Sequence, residues 1–163
     1  MTTAYGTIDL DALKHNLAKV REYAPNSKVM AVIKANAYGH GLLTIAQGLE
    51  KIDAMAVARM EEGILLRKGG IESRITVLEG FVNEEELNEL IRYDLDPVVH
   101  SFGQIDILEA YYGDKKTSVL LKVDTGMNRL GFKSTQFDSV FRRLSACSKV
   151  TQPFTLMTHL SSA

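Results

Sequence analysis

Apolar residues in this chain fall into short continuous runs, and amphipathic stretches separate one run from the next. The runs at residues 29–33, 54–58, 75–78, 97–100, 119–123 and 154–157 read as strands. An apolar run without polar alternation suits a strand covered on both faces, as in a parallel sheet. The stretches at 42–49, 61–67, 84–91, 105–112 and 137–145 place apolar residues at helical spacing. Ahead of the first run, Leu13, Leu17 and Val20 share a helix face, Asp9 and Asp11 can cap that helix, and Pro25-Asn26-Ser27 ends it. Asn83 before three glutamates is a helix start, with acidic residues at the positive end of the dipole. Residues 5–10 carry a short β pattern.

The run ends Ile33, Val57, Leu78, His100 and Val123 are 24, 21, 22 and 23 residues apart. This is a repeat of architecture without a repeat of sequence. Regular βα units predict parallel strands joined by right-handed crossovers. An open doubly wound sheet and a closed barrel both satisfy that pattern. A closed parallel β/α (TIM-type) barrel has eight units and needs about 250 residues. The pattern here supplies about six in 163 residues. The expected fold is therefore α/β, an incomplete N-terminal portion of such a barrel, with residues 1–163 forming one domain. Two raw sheet edges and an uncovered apolar interior predict that the isolated chain associates with itself or belongs to a larger molecule.

Composition narrows the function classes. Hydrophobic residues make up 45% and charged residues 24%, with 19 basic against 20 acidic. That balance builds a core and leaves no basic stripe for nucleic acid. Arg142 and Arg143 are adjacent, and read as part of a solvated helix face. The single cysteine, Cys147, can form neither an internal disulfide nor a cysteine-based metal cluster, and no metal site is expected. It reads as a small filler in a reducing, cytoplasmic setting. The N-terminus has no basic patch followed by an apolar stretch, and no apolar run is long enough to cross a bilayer.

In parallel β/α proteins the chemistry gathers just beyond the C-terminal strand ends. Lys34 follows the first run directly. Partial desolvation there lowers a lysine pKa, and a neutral amine can condense with an aldehyde to a Schiff base. Tyr38 follows in a loop with Gly39, His40 and Gly41, and the helix opening near Leu42 offers amides to an anion. A lysine that merely snorkels at a strand end gives the same local pattern. Arg129 lies in the glycine-punctuated loop after the fifth run. It suits a carboxylate or phenolate oxygen, or a plain ion pair with Asp124. Lys122 is a charge inside an apolar strand, which either snorkels or holds something charged. His159 follows the sixth run, where it can orient a ring or relay a proton. His15 and His100 carry only a structural reading.

Three stretches together resemble the alanine racemase family. Ala31-Val32-Ile33-Lys34-Ala35-Asn36-Ala37-Tyr38-Gly39-His40-Gly41 is similar to its cofactor-attachment signature. Lys122-Val123-Asp124-Thr125-Gly126-Met127-Asn128-Arg129-Leu130-Gly131 is similar to a second signature, and Met157-Thr158-His159-Leu160 to a third, weaker one. The resemblance runs along all 163 residues. It implies pyridoxal 5'-phosphate as cofactor, an eight-stranded β/α barrel with a C-terminal β domain, and a homodimer that interconverts L- and D-alanine for peptidoglycan. It makes Lys34 the Schiff-base lysine and the acid/base on one face of the substrate. Tyr38 becomes a phosphate contact, and Arg129 the arginine beside the cofactor's phenolic oxygen and the substrate carboxylate. Lys122 matches a lysine carbamylated in some members, and His159 the histidine near the pyridine ring. The tyrosine base of the opposite face belongs to the partner's C-terminal domain, which this stretch does not include. Racemisation of another amino acid such as serine, or a non-catalytic pyridoxal-phosphate-binding protein of cofactor homeostasis on a related barrel, are the alternatives.

Overall fold

The strand pattern resolves into one six-stranded parallel sheet in the order β1-β2-β3-β4-β5-β6. The strands are β1 (Met30–Val32), β2 (Ala54–Val57), β3 (Arg74–Val77), β4 (Asp96–Val99), β5 (Leu120–Lys122) and β6 (Thr155–Met157). The computed structural model describes residues 5–49 and 51–161. Residues 1–4, read above for the lack of a signal segment, lie outside it. Each strand pairs with its sequence neighbour and the order never reverses. A doubly wound sheet needs a reversal, so the chain is the curled half of a TIM-type barrel.

Helices return the chain from the end of one strand to the start of the next: α3 (Leu42–Gly48), α4 (Met60–Lys68), α5 (Glu84–Arg92), α6 (Phe102–Ala110) and α7 (Phe137–Ala146). They cover the convex face. Met55, Val57, Ile75, Val77, Val99 and Leu121 pack outward against Leu66, Leu87, Leu90, Ile105, Leu108 and Leu144, all buried. The alternate strand residues Ala54, Ala56, Thr76, Asp96, Val98, Leu120 and Lys122 face the other way, in register with one another across the concave interior. At the N-terminal end of that interior Arg74 pairs with Asp96. Burial pushes the Asp96 carboxyl up, and Arg74 pulls it back only in part.

Three expectations change. Residues 5–9 form no strand: they meet no sheet edge, and Asp9 caps α1 (Leu10–Tyr23) by accepting from Asp11 N and Ala12 N at 2.9 and 3.0 Å. The first and sixth runs are not covered on both faces. Among the described residues β1 and β6 each have a neighbour on one side only, so Val32 is 43% exposed and Leu156 54% exposed. The helix expected at 105–112 starts earlier, because Ser101 caps it and Gln104 closes the reciprocal bond. Arg143 turns to α6, bonding Asp106 and Glu109 at 2.6 Å, while Cys147 is buried as a filler near Leu108 O.

Candidate active site

Five strand ends of this half-barrel converge on one cleft of about 340 Å3, with Ala58 marking the β2 end. Lys34 and Tyr38 come from the β1 end, Glu79 from the β3 end, Lys122 and Arg129 from β5 and its loop, and His159 from the β6 end. Val32, Leu78, Leu130 and Met157 supply apolar wall. All five side chains singled out from the sequence therefore border the same space. Glu79, at the same strand-end position, was not singled out, because a lone glutamate after Leu78 has no distinguishing spacing.

Lys34 opens a turn of unusual hand, α2 (Lys34–Tyr38). Ala35, Asn36 and Ala37 lie at φ/ψ of 53/54, 55/44 and 53/48, and Tyr38 continues at φ 54. A left-handed turn costs L-residues roughly 1–2 kcal/mol each. Nothing intrinsic to alanine or tyrosine repays that, so neighbours hold the turn. Asn36 Oδ1 accepts from Leu42 N at 2.8 Å, and Gly41 N donates to Asn36 O at 3.0 Å. Across the sheet Glu62, three residues into α4, accepts from Asn36 N at 3.2 Å with Oε1, and from Ala58 N and Arg59 N at 3.0 and 3.3 Å with Oε2. The Leu42 amide expected for an anion is thus already used by Asn36. Of the Tyr38-Gly39-His40-Gly41 loop only Tyr38, 59% exposed, borders the cleft. His40 Nδ1 lies 2.9 Å from Ala37 O and serves the turn.

The loop after β5 is pinned at its base, where Asp124 N donates to Phe132 O and Phe132 N to Lys122 O, both at 2.9 Å. Asp124 Oδ1 accepts from Gly126 N and Asn128 N at 3.0 Å, and so does not pair with Arg129. These bonds, Asn128's first, hold the Asp124 carboxyl below the usual aspartate range. A depressed acid stabilises above its unfolded value and loses that contribution as pH falls through the folded one. Protection of the Gly126 and Asn128 amides, taken relative to the free-amide rate at the same pH, is therefore expected to fall only below the ordinary aspartate pKa. Asp124→Ala should remove the protection at neutral pH, whereas Asp124→Asn, which keeps the acceptor, should retain it. Protection in the alanine variant equal to wild type would sink this account.

Lys122 is 8% exposed on the concave face, in register with Met157. It has not snorkelled out to bulk solvent. Burial first, then the charge of Arg129, lower its pKa, with Asp124 opposing. Among the described residues neither Lys122, Arg129 nor Lys34 has a carboxylate within 4 Å, while Glu79 is drawn toward Arg59 at 3.6 Å. Three cations and a histidine on one small, partly apolar wall form a receptor for an anionic, planar molecule. A free amine among them adds the option of covalent capture of an aldehyde. That donor set fits pyridoxal phosphate. His100 stays structural, its Nε2 3.0 Å from Glu79 O, and His15 is exposed on α1.

Residues 8–163 match the family described as alanine racemase, N-terminal domain. An alanine racemase of Shewanella sediminis is 48% identical over 156 residues, covering 96% of this chain and 44% of the relative. One from Hamiltonella defensa is 47% identical over 161 residues, covering 99% and 45%. Among solved structures, the biosynthetic alanine racemase of Pseudomonas aeruginosa superposes with a TM-score of 0.88 at 34% identity, covering 94% of this chain and 43% of that one. An alanine racemase of Clostridium difficile 630 in complex with cycloserine gives 0.83 at 31% identity, over 95% and 44%. The chain thus spans less than half the length of the relatives it matches. By sequence and by fold, it belongs to the alanine racemase family and corresponds to the N-terminal part of its members.

Proposed function

We propose that this chain is the cofactor-holding part of a pyridoxal-phosphate-dependent alanine racemase, an isomerase that supplies D-alanine for peptidoglycan. The observation that carries this reading is the meeting of Lys34, Tyr38, Lys122, Arg129 and His159 on one cleft at the C-terminal strand ends. The relatives' names agree with it. When bound, the cofactor offers an aldehyde to an amine and a ring that spreads the charge left as the substrate's α-carbon loses its proton.

The chain's own residues divide the remaining work. Lys34 Nζ would hold the cofactor covalently and would be the acid and base toward the α-carbon on one face. Tyr38 would hold the cofactor's phosphate. Arg129 offers a planar donor fork to the phenolic oxygen and to a substrate carboxylate. His159 would hold the pyridine ring of the cofactor from the β6 end. Lys122, whose ammonium form burial disfavours, can add carbon dioxide, releasing a proton and leaving a carbamate that holds Arg129. Residues 1–163 take the role of the N-terminal barrel portion. The remaining barrel units, a C-terminal β domain and the second acid/base of the opposite face come from the rest of a cytoplasmic homodimer. Among the described residues no helix is long and apolar enough to cross a membrane.

The test is chemical capture. The protein is mixed with pyridoxal phosphate, reduced with borohydride and mapped by peptide mass. Lys34 is expected to carry the adduct, and the Lys34→Ala protein none. Labelling spread over surface lysines, unchanged in that variant, would overturn the assignment.

A further inference from the structure

The left-handed turn that presents Lys34 and Tyr38 is held from outside the cleft. Glu62 uses both carboxylate oxygens for this: Oε2 takes the amides of Ala58 and Arg59 at the β2 end, and Oε1 takes Asn36 N inside the turn. Asn36 in turn receives Leu42 N, closing the turn onto the start of α3. Glu62 does not border the cleft, nor does Asn36. Three residues into α5, Glu86 also carries an acid that bonds its own helix start, accepting from Val82 N at 2.9 Å, but it reaches no strand-end turn. So Glu62 does more than begin a helix.

We infer that Glu62 and Asn36 are positioning residues, which fix the hand of the Lys34–Tyr38 turn and thereby aim the Lys34 amine and the Tyr38 hydroxyl into one cleft. This rests on the reading of Lys34 as the cofactor-holding amine. The chemistry explains the residue types. Glu62 faces only N–H groups, and in two directions, so it must be an acceptor at both oxygens. A glutamine there satisfies one direction and sets an NH2 against a donor in the other. Asn36 combines tolerance of the left-handed region with a side-chain acceptor. Glycine keeps the first property alone, and aspartate keeps the acceptor.

The experiment compares Glu62→Gln, Glu86→Gln, Asn36→Gly and Asn36→Asp with wild type in the full-length protein, each checked for folding by circular dichroism. Two measurements are made: amide hydrogen exchange at Asn36 and Leu42 without added cofactor, and the pyridoxal phosphate concentration giving half-maximal borohydride capture at Lys34. Glu62→Gln is expected to expose the Asn36 amide, and Asn36→Gly the Leu42 amide. Each should raise the half-capture concentration roughly tenfold or more. Glu86→Gln and Asn36→Asp should stay close to wild type. Capture in Glu62→Gln and Asn36→Gly equal to wild type would overturn the inference, as would an Asn36→Asp protein as impaired as Asn36→Gly. Should Glu62→Gln fail to fold, the Asn36 pair decides alone. A wild-type protein that captures nothing at Lys34 refutes the cofactor reading instead, and the exchange data then decide whether the turn is held as described.

Discussion

Lys34→Arg in the full-length protein is expected to lower racemisation of alanine by about ten-thousand-fold or more, as fully as Lys34→Ala. Arginine keeps the positive charge and much of the length. Its guanidinium stays protonated at any working pH, so it neither condenses with an aldehyde nor takes up a proton from carbon. If Lys34 served only as a cation for an anionic ligand, arginine would restore most of the rate. Chiral chromatography of alanine incubated with each variant gives the measurement. Turnover in Lys34→Arg within about tenfold of wild type would leave the amine without its assigned chemistry. The cleft keeps Tyr38, assigned to the phosphate, and Arg129, assigned to the carboxylate, in either variant. Recognition of phosphate and carboxylate is therefore expected to outlast the chemistry, leaving a variant that still binds but does not turn over.

The largest stability loss is expected from Gln104→Glu, a substitution of nearly constant shape. Gln104 is 3% exposed and joins two strand-end loops. Its Oε1 accepts from His100 N at 2.7 Å and Ser101 N at 3.2 Å. Its Nε2 donates to Phe81 O at 3.1 Å and Glu79 O at 3.5 Å. A carboxylate keeps the first pair and turns its second oxygen on two carbonyls. The cost is a buried charge set against two carbonyls, roughly 3 kcal/mol or more, eased only as far as His100 Nε2, 3.3 Å from Gln104 Nε2, turns an N–H toward it. Burial raises the folded pKa of the new acid, so the folded state binds the extra proton. The penalty is then absent below the unfolded glutamate value, about 4.3. It grows as pH rises, and levels off once the folded value is passed. Urea midpoints for variant and wild type should nearly coincide at pH 4 and separate widely at pH 8, both pH settings being about the unfolded value and well above it. A constant difference across that range would mean that shape, and not charge, is at fault.

Glu62 and Gln104 illustrate what a sequence hides. Each stands third in its helix, where an acid or amide is ordinarily read as a helix-start signal. Whether the position takes glutamate or glutamine depends on what the preceding strand-end loop presents. For Glu62 that is the Asn36 amide, and for Gln104 the Phe81 carbonyl. Those partners lie 26 and 23 residues away, so no local window contains them. The hand of the Lys34 turn is hidden for the same reason. Ala35 and Ala37 are good formers of right-handed helix, and only hydrogen bonds from other elements repay the reverse hand. The exposure of β1 has a related cause. Its composition is that of a covered strand, and its exposure depends on which neighbours pair with it.

The sequence by itself determined the alternation of strand and helix and the parallel sense of the sheet. It also marked the strand ends where Lys34, Arg129 and His159 fall, because burial on two faces and amphipathic periodicity are local properties of a chain. Tertiary structure alone decided three things: that these residues and Lys122 border one cleft, that Asp124 serves its own loop instead of Arg129, and that a carboxylate from the next βα unit holds the lysine turn. Those outcomes rest on bonds between segments brought together by the curl of the sheet, and distance in space is not written in the order of residues.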